Sequence, residues 1–358
     1  MTETQRSQGA GAPSSAAGPI GGIRGRRRQG VSLADLSLVT TSSFDGGRLP
    51  LVVEPARAGV DLAEWAAANH DLVTEYRLGH GAILFRGFGL VGADDFERAS
   101  SALAGELYGE YGDLPREAAS EKIFSSTPYP NDEMIHFHNE SSHMARWPMQ
   151  IFFFCATAAP VGGATPILDC RTIIEHLDPG VVEEFETKGL QYVRNFAEGV
   201  DVPWQQFFGT DDRAEVERRC AASGTTAEWR KDGTRLRIRQ QAPGVALHPR
   251  TGERVWFNQV LLHHPFGVPA ATRASLRELF DDEDLPRNVY FGDGTEIPGS
   301  TVQHLYETYM AHRVEFPWQE GDLLMLDNML TSHGRMPFEG PRKILVAMAE
   351  VVEGSPTR

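Results

Sequence analysis

A chain of 358 residues with 41% hydrophobic and 23% charged residues can bury a large core, which excludes a protein disordered throughout. Its formal net charge of −15 repels phosphate backbones and argues against nucleic acid as a partner. The three cysteines are far apart and have no CxxC spacing, so the sequence predicts a protein of the reducing cytoplasm without disulfides or a thiolate zinc site.

The N-terminal segment over residues 1–30 is rich in Gly, Ala, Ser and Pro and ends in a basic run, Arg24 to Arg28. This composition predicts a disordered, low-complexity tail. Residues 31–358 show no second break of this kind and are predicted to form a single domain. No apolar run in the chain approaches the roughly 18 residues that a membrane span needs.

Two helices are predicted ahead of the β-rich part of the chain. The first begins at Asp61, has apolar residues at helical spacing and is expected to end near Gly79, before a short strand over 82–87. The second helix is predicted over 94–109, with Gly109 as its end.

Short β-rich runs separated by turn residues follow. Their frequent interruption by Gly and Pro is typical of a β-sandwich or jelly-roll barrel rather than of a doubly wound α/β sheet. The sequence thus predicts a mainly β fold of one of these two kinds with flanking helices, and a helical insertion around 175–225. The predicted strands lie at 149–158, 160–169, 236–241, 244–249, 254–259, 322–328 and 343–352, and a further helix at 271–282.

The segment "MIHFHNESSHM", residues 134–144, concentrates potential metal ligands. In an extended chain His136, His138 and Glu140 share one face. The HExxH spacing of zinc proteases is absent, and Ser142 stands where a cupin site needs Glu. What remains is a His-x-carboxylate pair, two members of a 2-His-1-carboxylate triad, although a polar surface loop explains the pair equally well.

A second motif lies near the C-terminus. The run "DLLMLDN" leads into a turn with His333, and Arg342 opens the next β-run nine residues later. Iron held by three groups on one face keeps positions open for a 2-oxo acid and dioxygen. The far carboxylate of such an acid suits the planar fork of Arg342, whereas Lys343 faces the other side of a strand.

Four motifs, in order, resemble the taurine dioxygenase and clavaminate synthase-like iron(II)/2-oxoglutarate oxygenases. The chain is most similar to the amino-acid hydroxylases of nonribosomal peptide pathways, such as the aspartyl hydroxylase of syringomycin assembly. The resemblance covers most of the chain after about residue 45. The motifs are "FHNE", "GGATPILDCR", "LHPRTGERVWFNQ" and "GDLLMLDNMLTSHGRMPFEGPRKILVAM".

The resemblance implies a clavaminate synthase-like jelly roll, that is, a double-stranded β-helix with flanking helices, that uses Fe(II), 2-oxoglutarate and O2. It implies that His138, Glu140 and His333 hold the iron, and that Thr165 and Arg342 hold 2-oxoglutarate. Taurine dioxygenases carry Asp in place of Glu140, which shifts the expected substrate from a sulfonate to an amino acid. Because the carboxylate ligand is kept, the resemblance favours hydroxylation over halogenation and leaves desaturation or cyclisation open.

Asn131, Asn139 and His143 are candidate substrate contacts because they are close in sequence to the proposed ligands. His136 matches no ligand position and is expected to be a polar strand residue. The adjacent His263 and His264 have no carboxylate at useful spacing and are expected to be structural.

The expected activity is hydroxylation of a β- or γ-carbon of an amino acid, free or bound to a peptidyl carrier protein, in secondary metabolism. A basic segment predicts either a docking patch for an acidic carrier or an ordinary charged hairpin. The competing hypothesis from another class is a catalytically silent jelly-roll binding protein. The basic residues are Arg230, Lys231, Arg235, Arg237 and Arg239.

Overall fold

The computed structural model describes residues 37–109, 122–125, 129–196, 202–230 and 233–353. The predicted tail over 1–30 and Lys231 lie outside these ranges. The described residues from Leu38 onward pack as one unit. No helix among the described residues combines the length and apolar character that crossing a bilayer requires.

The strands are short and spread over the whole described chain. They are β1 (Val39–Ser43), β2 (Leu51–Pro55), β3 (Ala82–Phe85), β4 (Phe124–Ser125), β5 (Ile135–His138), β6 (Arg146–Thr157), β7 (Val161–Gly162), β8 (Ile167–Asp169), β9 (Leu190–Phe196), β10 (Thr225–Arg230), β11 (Arg235–Ala242), β12 (Val245–Leu247), β13 (Arg254–Trp256), β14 (Arg287–Phe291), β15 (Leu323–Asp327), β16 (Thr331–Arg335), β17 (Phe338–Glu339) and β18 (Lys343–Glu353).

Helices lie between the strands along most of the described chain. They are α1 (Leu62–Ala68), α2 (His70–His80), α3 (Gly92–Ala104), α4 (Ile173–His176), α5 (Pro179–Lys188), α6 (Trp204–Phe208), α7 (Arg213–Ala222), α8 (Val260–His263), α9 (Ala270–Leu279) and α10 (Gly299–His312).

A seven-stranded sheet in the order β1-β2-β3-β15-β6-β18-β4 is the base of the fold, and a three-stranded sheet, β5-β16-β8, packs on it. The Phe153 ring of β6 lies 4.9 Å from the His333 ring of β16, and Ile167 of β8 shares a buried cluster with residues of the large sheet. Two sheets facing each other in this way confirm the predicted jelly roll.

The sequence of strand β6 lacks the usual alternation of apolar and polar residues, and the packing of its two faces explains why. Successive side chains point to opposite faces. Phe152 and Phe154 pack in a cluster with residues of α1 and α3, whereas Ile151 and Phe153 belong to the cluster between the sheets. Both faces of the strand are covered, so an apolar residue is favoured at every position.

Two helix boundaries differ from the prediction. The first predicted helix is broken at Asn69, whose backbone leaves the helical region at φ −130° and ψ 31°. The second ends at Ala104 rather than near Gly109, because Gly105 adopts φ 86°. A positive φ costs a glycine little, so the helix ends at the first position that permits it.

The region 175–225 also differs from a purely helical insertion. Helices α5, α6 and α7 are present, but β9 lies between them and belongs to a second sheet, β10-β11-β9-β14. Its partners β11 and β14 come from later in the chain. Pairing over such distances depends on tertiary context, which local propensity does not contain.

Candidate metal centre

His138, Glu140 and His333 converge at the three-stranded sheet. One ligand atom from each lies within 4.8 Å of the other two. His138 and His333 face each other directly across β5 and β16, and their ring centroids are 4.3 Å apart. Glu140 comes from the turn that follows β5, and its Oε2 lies 4.0 Å from His138 Nε2.

The hydrogen bonding of His138 prepares its second nitrogen for a metal. His138 Nδ1 lies 2.8 Å from the carbonyl oxygen of His136. A carbonyl only accepts, so Nδ1 carries the proton and Nε2, the atom nearer Glu140, keeps its lone pair. Two imidazoles and one carboxylate are the donor set of the facial triad that binds Fe(II), so the residues present fit this metal.

His136 does not share the face of His138 and Glu140 in the way that regular alternation predicts. The pairing of β5 with β16 shifts between His333 and Arg335, at Gly334, where an added Cβ would lie 2.7 Å from a backbone oxygen of β5. Such a bulge changes the direction of neighbouring side chains. The ring of His136 consequently contacts Tyr306, and its Nε2 lies 2.9 Å from the Gly267 carbonyl.

Asn328, which sequence reasoning did not single out, fixes the backbone of Glu140. Its Oδ1 accepts from the Glu140 N–H at 2.7 Å, and its Nδ2 donates to the Glu140 carbonyl at 2.9 Å and to the Pro148 carbonyl at 2.8 Å. The sequence signal for this role is the Asp-Asn pair that ends the apolar run of β15.

Asn139, a predicted substrate contact, belongs to the scaffold instead. Its side chain is only 1% exposed, and its Nδ2 donates to the Asn328 carbonyl at 2.7 Å. Its Oδ1 accepts from the Asn258 N–H at 3.4 Å. Asn131 is exposed, and its carbonyl accepts from the Phe338 N–H at 2.9 Å.

The remaining histidines of the prediction, His143, His263 and His264, contact aromatic rings or backbone groups. The ring of His143 is 4.7 Å from that of His263 and 5.5 Å from that of Tyr192. His264 accepts at Nδ1 from the Phe266 N–H and lies with Nε2 3.2 Å from the Ile297 carbonyl. Burial lowers the pKa of His264 to about 4, so it is neutral and structural at pH 7.

Arg342 and Thr165 meet at one end of β18. Arg342 Nε donates to the Gly163 carbonyl at 2.9 Å, and one terminal nitrogen lies 3.4 Å from Thr165 Oγ1. The guanidinium carbon lies 5.4 Å from the centre of the Phe338 ring. Burial, together with the charge of Arg335, lowers the pKa of Arg342 to about 10, which leaves it protonated at neutral pH.

Three arginines of the basic segment are paired within the protein. Arg237 is 2% exposed and donates to the Glu283 carbonyl and to Asp284. Arg239 donates to Glu228 at 2.6 Å, and Arg230 lies 3.5 Å from Asp284. These pairings involve three of the five predicted basic residues and favour the charged hairpin over the docking patch.

Comparison with known proteins agrees with this geometry. The family model "Taurine catabolism dioxygenase TauD, TfdA family" matches residues 47–348. The chain is 36% identical over 285 residues to the dapdiamide synthesis protein DdaC of Enterobacter agglomerans, covering 79% of this chain and 86% of that protein.

It is 31% identical over 281 residues to the clavaminate synthase-like protein At3g21360 of Arabidopsis thaliana, covering 75% and 82% of the two chains. The crystal structure of PvcB from Pseudomonas aeruginosa shares the fold, with a TM-score of 0.52, 16% identity and coverage of 87% and 91%. The family match and the relatives above 30% identity lead to one conclusion: the chain belongs to the TauD/TfdA family and is a dioxygenase that uses Fe(II), 2-oxoglutarate and O2.

Proposed function

We propose that the protein hydroxylates an unactivated β- or γ-carbon of an amino acid in secondary metabolism, the amino acid being free or carrier-bound. In this proposal His138, Glu140 and His333 hold the iron. The observation that carries the proposal is the convergence of these three side chains within 4.8 Å at one end of the small sheet. Bound Fe(II) supplies the oxidation of a C–H bond by O2, coupled to the decarboxylation of 2-oxoglutarate to succinate.

The protein's own contribution is to position the reactants. His138 offers Nε2 because its Nδ1 proton is bonded to the His136 carbonyl, and Asn328 fixes the turn that carries Glu140. A ligand set held by the scaffold requires little reorganisation when it binds a metal. The C–H bond that the bound substrate directs toward the metal is then the one oxidised.

Arg342 and Thr165 are proposed to hold the far carboxylate of 2-oxoglutarate. Arg342 Nε donates a hydrogen bond to the Gly163 carbonyl, and the Phe338 ring lies beside the guanidinium. A terminal nitrogen and the Thr165 hydroxyl are near one another. A cation and a hydroxyl close together in a buried site bind a carboxylate strongly.

Two relatives support an amino-acid-derived substrate. DdaC is named for dapdiamide synthesis, and the Arabidopsis protein is named for its likeness to clavaminate synthase. Both names support a place in small-molecule biosynthesis rather than in sulfonate breakdown.

The proposal is tested in two steps with the full-length protein. Anaerobic addition of Fe(II) and 2-oxoglutarate should produce a weak visible charge-transfer band. Aerobic reactions with the twenty amino acids, free and loaded on a carrier domain, should then release succinate and give a product heavier by one oxygen atom. A product lighter by two hydrogens would indicate desaturation or cyclisation instead. Absence of both the band and succinate would contradict the proposal and favour a catalytically silent binding protein.

Replacing Arg342 should separate co-substrate binding from the other functions of the site. Arg342→Ala is expected to raise the KM for 2-oxoglutarate about 100-fold, since losing one partner of a buried charge pair costs roughly 2–5 kcal/mol. Arg342→Lys should recover part of this loss. Lys343→Ala is the matched control, because the neighbouring cation is exposed. Equal effects of the Arg342 and Lys343 substitutions would refute the assignment.

A further inference from the structure

The indole of Trp318 contacts the hydroxyl group of Thr165, one of the two residues proposed to hold 2-oxoglutarate. Trp318 Nε1 donates to Thr165 Oγ1 at 3.2 Å, and a terminal nitrogen of Arg342 donates to the same oxygen at 3.4 Å. A threonine hydroxyl has two acceptor lone pairs and one proton. The two donors therefore use both lone pairs, and the hydroxyl can interact with a further group only by donating its proton.

The proton of the Thr165 hydroxyl is directed at no acceptor of the protein in the part of the chain that the structure describes, since both hydrogen bonds of Oγ1 there come from donors. Thr165 is 2% exposed. A buried donor without a partner costs stability, and a group that only accepts, such as a carboxylate, satisfies it best. The arrangement thus prepares Thr165 to donate to an anionic ligand.

The position of Trp318 beside Thr165 is fixed by backbone pairing and by packing. Val314 and Ile167 exchange two backbone hydrogen bonds, at 2.8 and 2.9 Å, which align the segment before Trp318 with the segment after Thr165. The Trp318 ring packs edge-on against Phe316 with the ring centroids 5.4 Å apart, and Phe316 is itself buried. Edge-to-face contacts of this kind restrict the orientation of an aromatic ring.

A buried ion pair holds the backbone on both sides of Trp318. Arg86 donates to the two carboxylate oxygens of Asp322 at 3.0 and 2.6 Å and to the Pro317 carbonyl at 3.0 Å. Asp322 is buried, and its Oδ2 also accepts from the Gln319 N–H at 2.8 Å. Bidentate pairs of this kind are geometrically specific. The residues before and after Trp318 are thus tied to one ion pair, so the indole N–H is preorganised.

We infer that Trp318 is a positioning residue for the co-substrate: its indole N–H turns the Thr165 hydroxyl so that this hydroxyl donates to the far carboxylate of 2-oxoglutarate. The inference rests on the proposed function, in which Thr165 and Arg342 hold that carboxylate. A tryptophan that only fills space would act through its rings, whereas this role requires the N–H group and acts entirely through Thr165.

The test measures the dissociation constant of 2-oxoglutarate by titrating the anaerobic charge-transfer band of the full-length protein loaded with Fe(II). Trp318→Phe keeps an aromatic ring and removes the N–H donor. We expect Trp318→Phe to weaken binding about 5-fold and Thr165→Val about 10-fold, as for the loss of a hydrogen bond to a charged group. The double variant should also bind about 10-fold more weakly than the wild type, because effects that act through one group do not add.

Two further variants serve as controls. Thr165→Ser keeps the hydroxyl and should bind 2-oxoglutarate nearly as tightly as the wild type. Trp229→Phe removes another indole hydrogen bond, the one that Trp229 Nε1 donates to Glu217 at 2.7 Å on β10, and should leave the affinity unchanged. Thermal unfolding of each variant shows whether the fold is kept.

Unchanged affinity in Trp318→Phe would overturn the inference. So would a double variant about 50-fold weaker than the wild type, since effects that multiply are independent and indicate packing. If Thr165→Val weakens binding and Trp318→Phe does not, this inference alone fails and the proposed co-substrate site stands. If Thr165→Val binds like the wild type, or if the wild type gives no band, the proposed function fails first.

Discussion

His333→Ala is expected to abolish the anaerobic Fe(II)/2-oxoglutarate band and to reduce succinate formation by more than about 100-fold. Partners that only orient metal ligands already contribute 10–100-fold to metal affinity, so a direct ligand contributes more. His333 lies directly across from His138, and one donor atom of each lies within 4.8 Å of a Glu140 oxygen. Removing it leaves two donors, too few for a facial triad.

His136→Gln provides the comparison, because this neighbouring histidine lies outside the ligand trio and its Nε2 contact with the Gly267 carbonyl can be kept by an amide donor. The control should retain the band and most of the activity. Thermal unfolding of both variants separates a lost ligand from a lost fold. A band that survives in His333→Ala, or that disappears in a well-folded His136→Gln protein, would exclude the proposed ligand set.

Asp327→Ala is expected to lower the free energy of unfolding by about 3–5 kcal/mol, because it leaves the buried Arg77 without its closest carboxylate. Glu350, 3.9 Å from Arg77, is a more distant partner. Asp327 Oδ1 also accepts from the Met329 and Leu330 N–H groups at 3.1 Å. For a protein of this size the loss corresponds to a fall in Tm of roughly 4–7 °C.

Glu186→Gln is a suitable control, because its pair with Arg254 lies at the surface, where such a pair contributes about 0–1 kcal/mol. Urea or thermal unfolding of the two variants measures the difference. A loss for Asp327→Ala no larger than that for Glu186→Gln would show that the buried pair does not stabilise the fold.

The stabilisation by Asp327 should also depend on pH. Burial by itself raises the pKa of Asp327, but His248, with Nε2 3.4 Å away, and the charge of Arg77 outweigh it and hold the pKa below its ordinary value. A lowered carboxyl pKa stabilises the fold fully above the unfolded value of about 4. The difference between the wild type and Asp327→Ala should therefore narrow as the pH falls below about 4.

The local sequence predicted the fold class and the family of this protein. Short β-runs with Gly and Pro between them predicted a β-sandwich or jelly roll, and the ordered motifs around His138 and Arg342 predicted the family; the jelly roll and the family are both confirmed. The assignment of individual ligands stays a prediction, although the three side chains are brought together as expected. Residue type and spacing suffice here because a metal site needs few donor types in a fixed order.

Other features depended on contacts between distant segments. The bulge opposite Gly334 changes the direction of the His136 side chain. The Asn139 side chain donates a hydrogen bond to the Asn328 carbonyl and so packs within the scaffold. Arg237 of the basic segment paired with Glu283 and Asp284, 46 and 47 residues later.

The sequence by itself thus determined the chemical class of this protein, because ligand types, turn residues and strand periodicity are local properties. Only the tertiary structure decided which polar residues face the site. It also decided strand pairing, such as that of Arg194 on β9 with Arg287 on β14, nearly a hundred residues later. The physical reason is that the direction of a side chain on a sheet depends on register and bulges, which are fixed when distant strands pair and pack.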